Sequence, residues 1–368
     1  MMSQHTAHGH WLTDEGWLEG RCLFSDTVLE LHEDSHAGSA PRFIPAPVDL
    51  HVHGGGGADV MQGEKALRTV LKAHARHGTG ALLATSVTAP FSAIDQFLDS
   101  VVSVMKTPES GSTHLLGAHL EGPFISPDKL GAQPDYPAPL DLAVLESWFK
   151  RGVVKIITYA PEIDEQQQVP ELCKRYGVQA QLGHTLCSWA QARDAMANGV
   201  GVTHLYNAMS GVAHRGGGAA VAALAFADFA EVITDGIHVD EAAFMAARRA
   251  ISGLYSVTDA TAATGMPDGT YQLGSLQVKK CGDRVLLPDG TLAGSCLTQQ
   301  RSIQVLQQWG LDWQAIARLC STVPSNWMSL SNYGVIRVGA KANWIEIEDQ
   351  QPVALWLDGE RQLLEQHA

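Results

Sequence analysis

The stretch VDLHVHGGGG, residues 48–57, poses the question from which the fold can be worked out. An apolar, β-prone run ends in two histidines two residues apart and is followed by four glycines. Side chains at i and i+2 of a strand share a face, so His51 and His53 aim at one point, as paired metal ligands do. An exposed strand end with two incidental histidines before a flexible turn would give the same string, because a short motif matches by chance. The rest of the chain has to decide.

Working outward, similar runs recur at 46–54, 80–90, 114–123, 153–162, 178–185, 201–209, 230–239 and 253–261. Near-continuous apolar character marks strands covered on both faces, as in a parallel sheet. Between them lie EKALRTVLKAHARHG, PLDLAVLESWFKRG, CSWAQARDAMANG and DEAAFMAARRAISG, with helical spacing of apolar residues and a glycine stop. Eight alternations of strand and helix predict an α/β fold, a (β/α)8 TIM-like barrel. The polar residues sharpen this, since His51, His53, Thr85, Glu121, His184, His204, Asp235, His238 and Asp259 all fall at the C-terminal ends of the runs. That end of a barrel is where catalytic side chains converge.

The two ends of the chain read differently. Residues 11–45 and the last segment, from GVIRVGAKANWIEIE onward, alternate in short pieces with Gly and Asp-Gly turns. They predict a small β-sandwich domain from residues 1–45 plus 334–368, with the barrel spanning 46–333. The stretch 267–298 reads as inserted hairpins. His5, His8 and His10 sit in a polar terminus expected to be a loose tail or an edge strand.

Composition limits the partners. The 368 residues are 45% hydrophobic and 17% charged, so a large core can be buried. A formal net charge of -14 disfavours nonspecific attraction to nucleic acid or to an anionic membrane. Six scattered cysteines without a Cys-x-x-Cys pair, and no leader or membrane-length apolar run, predict a soluble cytoplasmic protein.

Together His51, His53, Glu121, His184, His204 and Asp259 offer four imidazoles and two carboxylates to one barrel mouth. Mixed nitrogen and oxygen ligation suits zinc, with iron or manganese as alternatives, as one ion or two.

The segments DLHVHGG, HLEGPFISP, LGHT, THLYNAM, DGIHVD, VTDATAATG and GTLAGS, in this order, resemble the N-acetylglucosamine-6-phosphate deacetylases of the amidohydrolase superfamily over nearly the whole chain. The resemblance implies a metal-dependent barrel, a homodimer, and hydrolysis of the N-acetyl amide of an amino sugar phosphate. On it, Glu121, His184 and His204 match metal ligands found throughout the family. His51 and His53 match a pair that completes a second metal position in some members. Asp259 matches the catalytic aspartate, and serves as a proton shuttle or as a ligand alone. Asn207, the Ala208 backbone and His238 match contacts to the sugar phosphate. Leu292, Ala293 and Gly294 match the acetyl end, and Arg215 matches an arginine that reaches the phosphate across the dimer interface.

Two departures bear on the substrate. Gln133 stands where the family usually has a histidine near the amide carbonyl, and a Gln amide donates a hydrogen bond without carrying charge. Gly216 to Gly218 replace a Glu-Pro-Gly after Arg215. The expected substrate is N-acetylglucosamine 6-phosphate, yielding glucosamine 6-phosphate and acetate. The alternatives are N-acetylgalactosamine 6-phosphate or a non-phosphorylated N-acyl compound.

Overall fold

The computed structural model describes residues 4–34 and 40–365, so the outermost residues of the expected sandwich domain, 1–3 and 366–368, and residues 35–39 lie outside the described residues. Eight parallel strands form one sheet: β1 (Val48–Val52), β2 (Ala81–Ser86), β3 (His114–Glu121), β4 (Val154–Tyr159), β5 (Gln179–Leu182), β6 (Gly201–Val202), β7 (Phe229–Ile233) and β8 (Gly253–Val257). Each pairs with its neighbour in chain order. The two edges meet just beyond β8, where the Asp259 N–H donates to the His51 carbonyl at 3.0 Å and Val52 bridges Ala260 in parallel. This is the (β/α)8 barrel that the alternating runs predict.

Strand alternation explains why the runs are apolar throughout. In β2, Leu82 and Ala84 pack in the large cluster under the helices, whereas Ala81 and Leu83 belong to a second cluster with Ile156, Ile233 and Tyr255. A polar layer crosses the barrel interior, because residues on strands that are not neighbours touch. His51 on β1 meets Glu231 on β7, and Gln181 on β5 donates to the Tyr255 hydroxyl on β8 at 2.5 Å. His119 on β3 joins the same layer through the Thr158 hydroxyl at 2.7 Å.

β6 is much shorter than the run at 201–209 suggests. After Val202 the backbone turns through positive φ at His204 (26°), Tyr206 (81°) and Ala208 (49°), which no pleated strand accommodates. The four glycines make a tight hairpin in which Gly54–Gly55 pair with Ala58–Asp59, and Gly56 and Gly57 take φ of 61° and 81°. Two consecutive positive φ values are what a two-residue type I′ turn requires. Gly54 also packs closely, since a Cβ there would lie 2.5 Å from the Ala262 nitrogen.

Both termini build one seven-stranded mixed sheet, ordered Glu360–Leu363, Gln351–Leu357, Trp344–Glu348, Arg42–Pro45, His5–Thr13, Gly16–Phe24 and Val28–Glu33. Trp11, Phe24, Phe43 and Trp344 fill its core, with Trp11 stacked on Phe43 at 4.1 Å. The segment carrying His5, His8 and His10 is therefore neither a tail nor an edge. It lies between Arg42–Pro45 and Gly16–Phe24, because Trp11 and Leu12 at its end have core to enter. The hairpins expected within 267–298 are the three strands Gly269–Leu273, Leu276–Cys281 and Arg284–Leu286.

Candidate active site

The C-terminal ends of the barrel strands deliver the six chain-distant side chains to one place. His51 lies in β1 and Glu121 is the last residue of β3; His53, His184, His204 and Asp259 follow their strands within two residues. His184, His204 and Asp259 have φ of 47°, 26° and 52°. A left-handed non-glycine residue costs of order 1–3 kcal/mol, so the surrounding packing must hold all three. The kink ends each strand and redirects its side chain into the mouth.

The resulting geometry is compact. Glu121 Oε1 lies 3.0 Å from His184 Nε2 and 2.9 Å from His204 Nε2, and those two nitrogens are 3.2 Å apart. On the other side, His53 Nε2 lies 3.2 Å from both Glu121 Oε2 and Asp259 Oδ1, and 3.2 Å from His51 Nε2. His51 Nε2 stands 3.5 Å from Glu121 Oε1 and from Asp259 Oδ1. Glu121 thus sits between two groups of donors.

The other ring nitrogens define what these donors offer. His51 Nδ1 faces a Glu231 carboxylate oxygen at 2.9 Å, His53 Nδ1 the Thr85 carbonyl at 3.0 Å, and His184 Nδ1 the Lys129 carbonyl at 2.9 Å. A ring that donates from Nδ1 presents a bare lone pair at Nε2. Lone pairs converging at 3.2 Å repel unless a cation lies between them. A tetrahedral ion with donors at about 2.0–2.1 Å would space them by about 3.3 Å, close to what is found. The donor set therefore fits a divalent metal ion.

Charge points the same way. Burial alone would lower the His53 imidazole, but the Asp259 and Glu121 carboxylates raise it to about 9. Burial likewise opposes charge on His51, which Glu121, Glu231 and Asp259 push well above the ordinary value. Burial would raise Glu121, yet His51 and His184 hold it well below the usual carboxylate range. Asp259 is lowered against burial by His51 and His53. The acids call for positive charge at the imidazoles.

A cleft of about 250 Å³ opens above this set, lined by His53, Glu121, His184, His204 and Asp259 together with Gln133, Asn207, Ala208, His238, Leu292 and Gly294. His51 lies beneath, fully buried, and Ala293 points into the apolar cluster with Val87 and Leu273. Arg215 is exposed on the strap 211–216 and does not reach the cleft of its own chain. Gln133 is locked, since its Oε1 accepts from the Thr88 N–H at 2.6 Å while its Nε2 donates to Glu121 Oε2. His238 Nδ1 pairs with Asp235 at 2.6 Å, and Asp235 also accepts the Ile237 and His238 N–H groups. At Gly294 a Cβ would sit 3.0 Å from the Asp259 carbonyl and 2.7 Å from Thr261, so only glycine leaves Asp259 room. A second cleft, about 330 Å³, lies between Leu12–Gly16 and Gln314–Arg318, but its lining holds no imidazole. The ligand set, not the volume, picks the site.

Glu231 and Asp49 went unnoticed in the sequence. Each is a single acid inside a buried strand run, FAEVI and VDLHV, and that placement was the available signal. Asp49 accepts from Thr258 and Gln299, and burial raises it to about 6.

Residues 43–361 match the amidohydrolase family. The chain is 34% identical over 326 residues to the N-acetylglucosamine-6-phosphate deacetylase of Bacillus subtilis (strain 168), covering 85% of this chain and 82% of that protein. It is 32% identical over 364 residues to the N-acetylgalactosamine-6-phosphate deacetylase of Escherichia coli O157:H7, covering 95% and 96%. Among solved structures, the N-acetylglucosamine-6-phosphate deacetylase of Thermotoga maritima superposes with a TM-score of 0.88 at 26% identity over 98% of this chain and 99% of that one. A mutant of the Mycobacterium smegmatis enzyme in complex with N-acetyl-D-glucosamine-6-phosphate gives 0.89 at 27% identity, again over 98% and 99%.

Proposed function

The chain belongs to the amidohydrolase family, and from that membership we propose that it hydrolyses the N-acetyl amide of N-acetylglucosamine 6-phosphate, giving glucosamine 6-phosphate and acetate. The observation that carries this reading is the convergence of Glu121, Asp259 and four imidazole Nε2 atoms, some below and some lining an open cleft. His51, His53, Glu121, His184, His204 and Asp259 would hold one or two divalent ions, zinc first, iron or manganese otherwise. Such an ion lowers the pKa of water towards ~7 and polarises a carbonyl.

The chain's own groups do the rest. Asp259, at the cleft wall and held as a carboxylate, takes the proton from the attacking water and passes it to the leaving sugar amine. Gln133, its orientation fixed by Thr88, offers a neutral N–H beside the reacting centre. Leu292 and Gly294 enclose the acetyl group, with Ala293 behind them, while Asn207, the Ala208 backbone and His238 grip the sugar phosphate.

None of the described residues lining the cleft is a lysine or arginine, so a phosphate dianion needs charge from elsewhere. Arg215 supplies it from a second copy of the chain in a homodimer. Exposed Leu186, Trp189 and Val212 near the strap support that arrangement, since the Trp189 N–H donates to the Gly217 carbonyl at 3.1 Å. We take 46–333 as the catalytic barrel and 1–45 with 334–368 as the small domain. Among the described residues no helix is long and apolar enough to cross a membrane, and the six cysteines are free, which supports a cytoplasmic setting.

A second reading, N-acetylgalactosamine 6-phosphate, is favoured by the 32% identity over 364 residues to an enzyme of that name. Release of free amine from a panel of phosphorylated and unphosphorylated N-acetyl sugars decides between them. No release from any of the phosphorylated sugars would overturn both.

A further inference from the structure

The four imidazoles are not backed alike. His53 and His184 donate from Nδ1 to neutral backbone carbonyls, and His204 Nδ1 has no hydrogen-bond partner. Of the four, only His51 turns its Nδ1 to a carboxylate, Glu231 Oε2 at 2.9 Å. Glu231 is fully buried between Ala230 and Val232, and the same Oε2 accepts the His204 backbone N–H at 3.2 Å. Its Oε1 lies 3.4 Å from the Tyr255 hydroxyl.

A buried ion pair is poor economy as a source of stability, since the cost of removing both charges from water often exceeds their attraction. A carboxylate on the far side of a ligating imidazole has another use. It fixes the ring's tautomer and orientation and makes Nε2 a stronger donor. Glu231 does not line the cleft and cannot touch a substrate there.

The donors divide into two halves. His184 and His204 share Glu121 Oε1; His51 and His53 stand by Asp259 Oδ1, with Glu121 Oε2 in reach of His53. In the second half, Glu121 Oε2 also receives the Gln133 amide, and a lone pair engaged by an N–H is a weaker ligand for a cation. That half also holds His51, the one ring of the four whose Nδ1 is backed by a carboxylate.

We infer that Glu231 is a positioning residue that acts through His51 to set the affinity of the His51–His53–Asp259 half for a divalent ion, leaving the Glu121–His184–His204 half unaffected. The inference rests on the reading that two ions share the site. His119, which lies close to His51 and Glu231, is not a further ligand, because its two nitrogens already meet the Leu50 carbonyl at 3.0 Å and the Thr158 hydroxyl at 2.7 Å.

The test uses the full chain, stripped of metal and titrated with Zn2+ against a chelator, with bound ions counted after equilibrium dialysis. Glu231→Gln keeps an oxygen for the His51 and His204 N–H groups and removes only charge. It is expected to weaken one of two ions by roughly 10–100-fold and leave the other unchanged. Glu231→Asp, which draws the carboxylate back from His51, should act in the same direction if the Gln variant does not fold. In a His51→Asn background, Glu231→Gln should change nothing more, because the ring through which it acts is gone.

Wild-type protein that binds a single ion overturns the two-ion reading and the inference with it. Wild type that binds two, with both weakened together or neither weakened by Glu231→Gln, overturns the inference alone. A further loss in the His51→Asn background does the same.

Discussion

His184 Nε2 and His204 Nε2 lie 3.2 Å apart, each within 3.0 Å of Glu121 Oε1, and His184 spends its one neutral-form proton on the Lys129 carbonyl. Two imidazole nitrogens and a carboxylate oxygen this close together form a donor set that a divalent cation fits. Chelation is therefore expected to destabilise the protein as well as silence it. An ion present at a thousand times its dissociation constant stabilises by about 4 kcal/mol, which exhaustive chelation removes. Calorimetry of stripped and reloaded protein should show a drop in Tm of several degrees that Zn2+ restores. An unchanged Tm after complete stripping would mean that these side chains do not hold a metal.

Asp259→Asn tests the proton shuttle apart from ligation. Asparagine keeps an oxygen towards His53 but cannot accept a proton, so kcat is expected to fall by roughly 10²–10⁴ with little change in KM. Ion content measured on the same sample separates the two roles of the residue. If activity falls only in proportion to lost metal, Asp259 is a ligand and nothing more.

The barrel was legible because its strands are buried on both faces and nearly every one leaves a polar residue at its C-terminal end, a pattern that survives without any alignment. The ends of strands were less so. His184, His204 and Asp259 sit in left-handed backbone, which sequence does not advertise at non-glycine residues, and β6 consequently stops at Val202 rather than running on through the histidine. The helix Ala219–Phe226 shows no polar stripe, being almost wholly apolar, and so gives no helical period to detect. Glu231 was passed over for a related reason. Its partner His51 is 180 residues away with five barrel strands between them in the chain, so only the closed barrel brings them together.

Arg215 is expected to discriminate among substrates. A guanidinium on a phosphate is worth about 1.5–3 kcal/mol, or roughly 10–100-fold in binding. Arg215→Ala should raise KM by that factor for a 6-phosphorylated N-acetyl sugar and leave an unphosphorylated analogue unaffected. Because the residue is exposed and outside its own cleft, stability should not change. Equal effects on both substrates would remove the phosphate from its role, and a monomer with full activity would remove the partner subunit.

Acid stability offers a test outside the reaction. His74 is buried in the helix Glu64–Arg76 with Nε2 2.9 Å from the Gly54 carbonyl, and its Nδ1 has no hydrogen-bond partner. Protonation would place a second N–H where nothing accepts it. Burial lowers the imidazole to about 4, against the small opposing pull of Gly54. The folded value lies below the unfolded value near 6.5, so between them the unfolded chain binds a proton that the folded one refuses, and stability falls with falling pH. The contribution is whole above pH 6.5 and lost on the way down to about 4, on the order of 3 kcal/mol. Asp49, raised to about 6 by burial, acts in the opposite sense over an overlapping range, so a single profile mixes the two. The difference between wild type and His74→Gln isolates the histidine, because glutamine still donates to Gly54 and does not titrate. Urea unfolding from pH 7 to pH 4 should show the variant losing less stability than wild type. Parallel curves would mean that His74 is charged in the folded protein or reaches solvent when it takes up its proton.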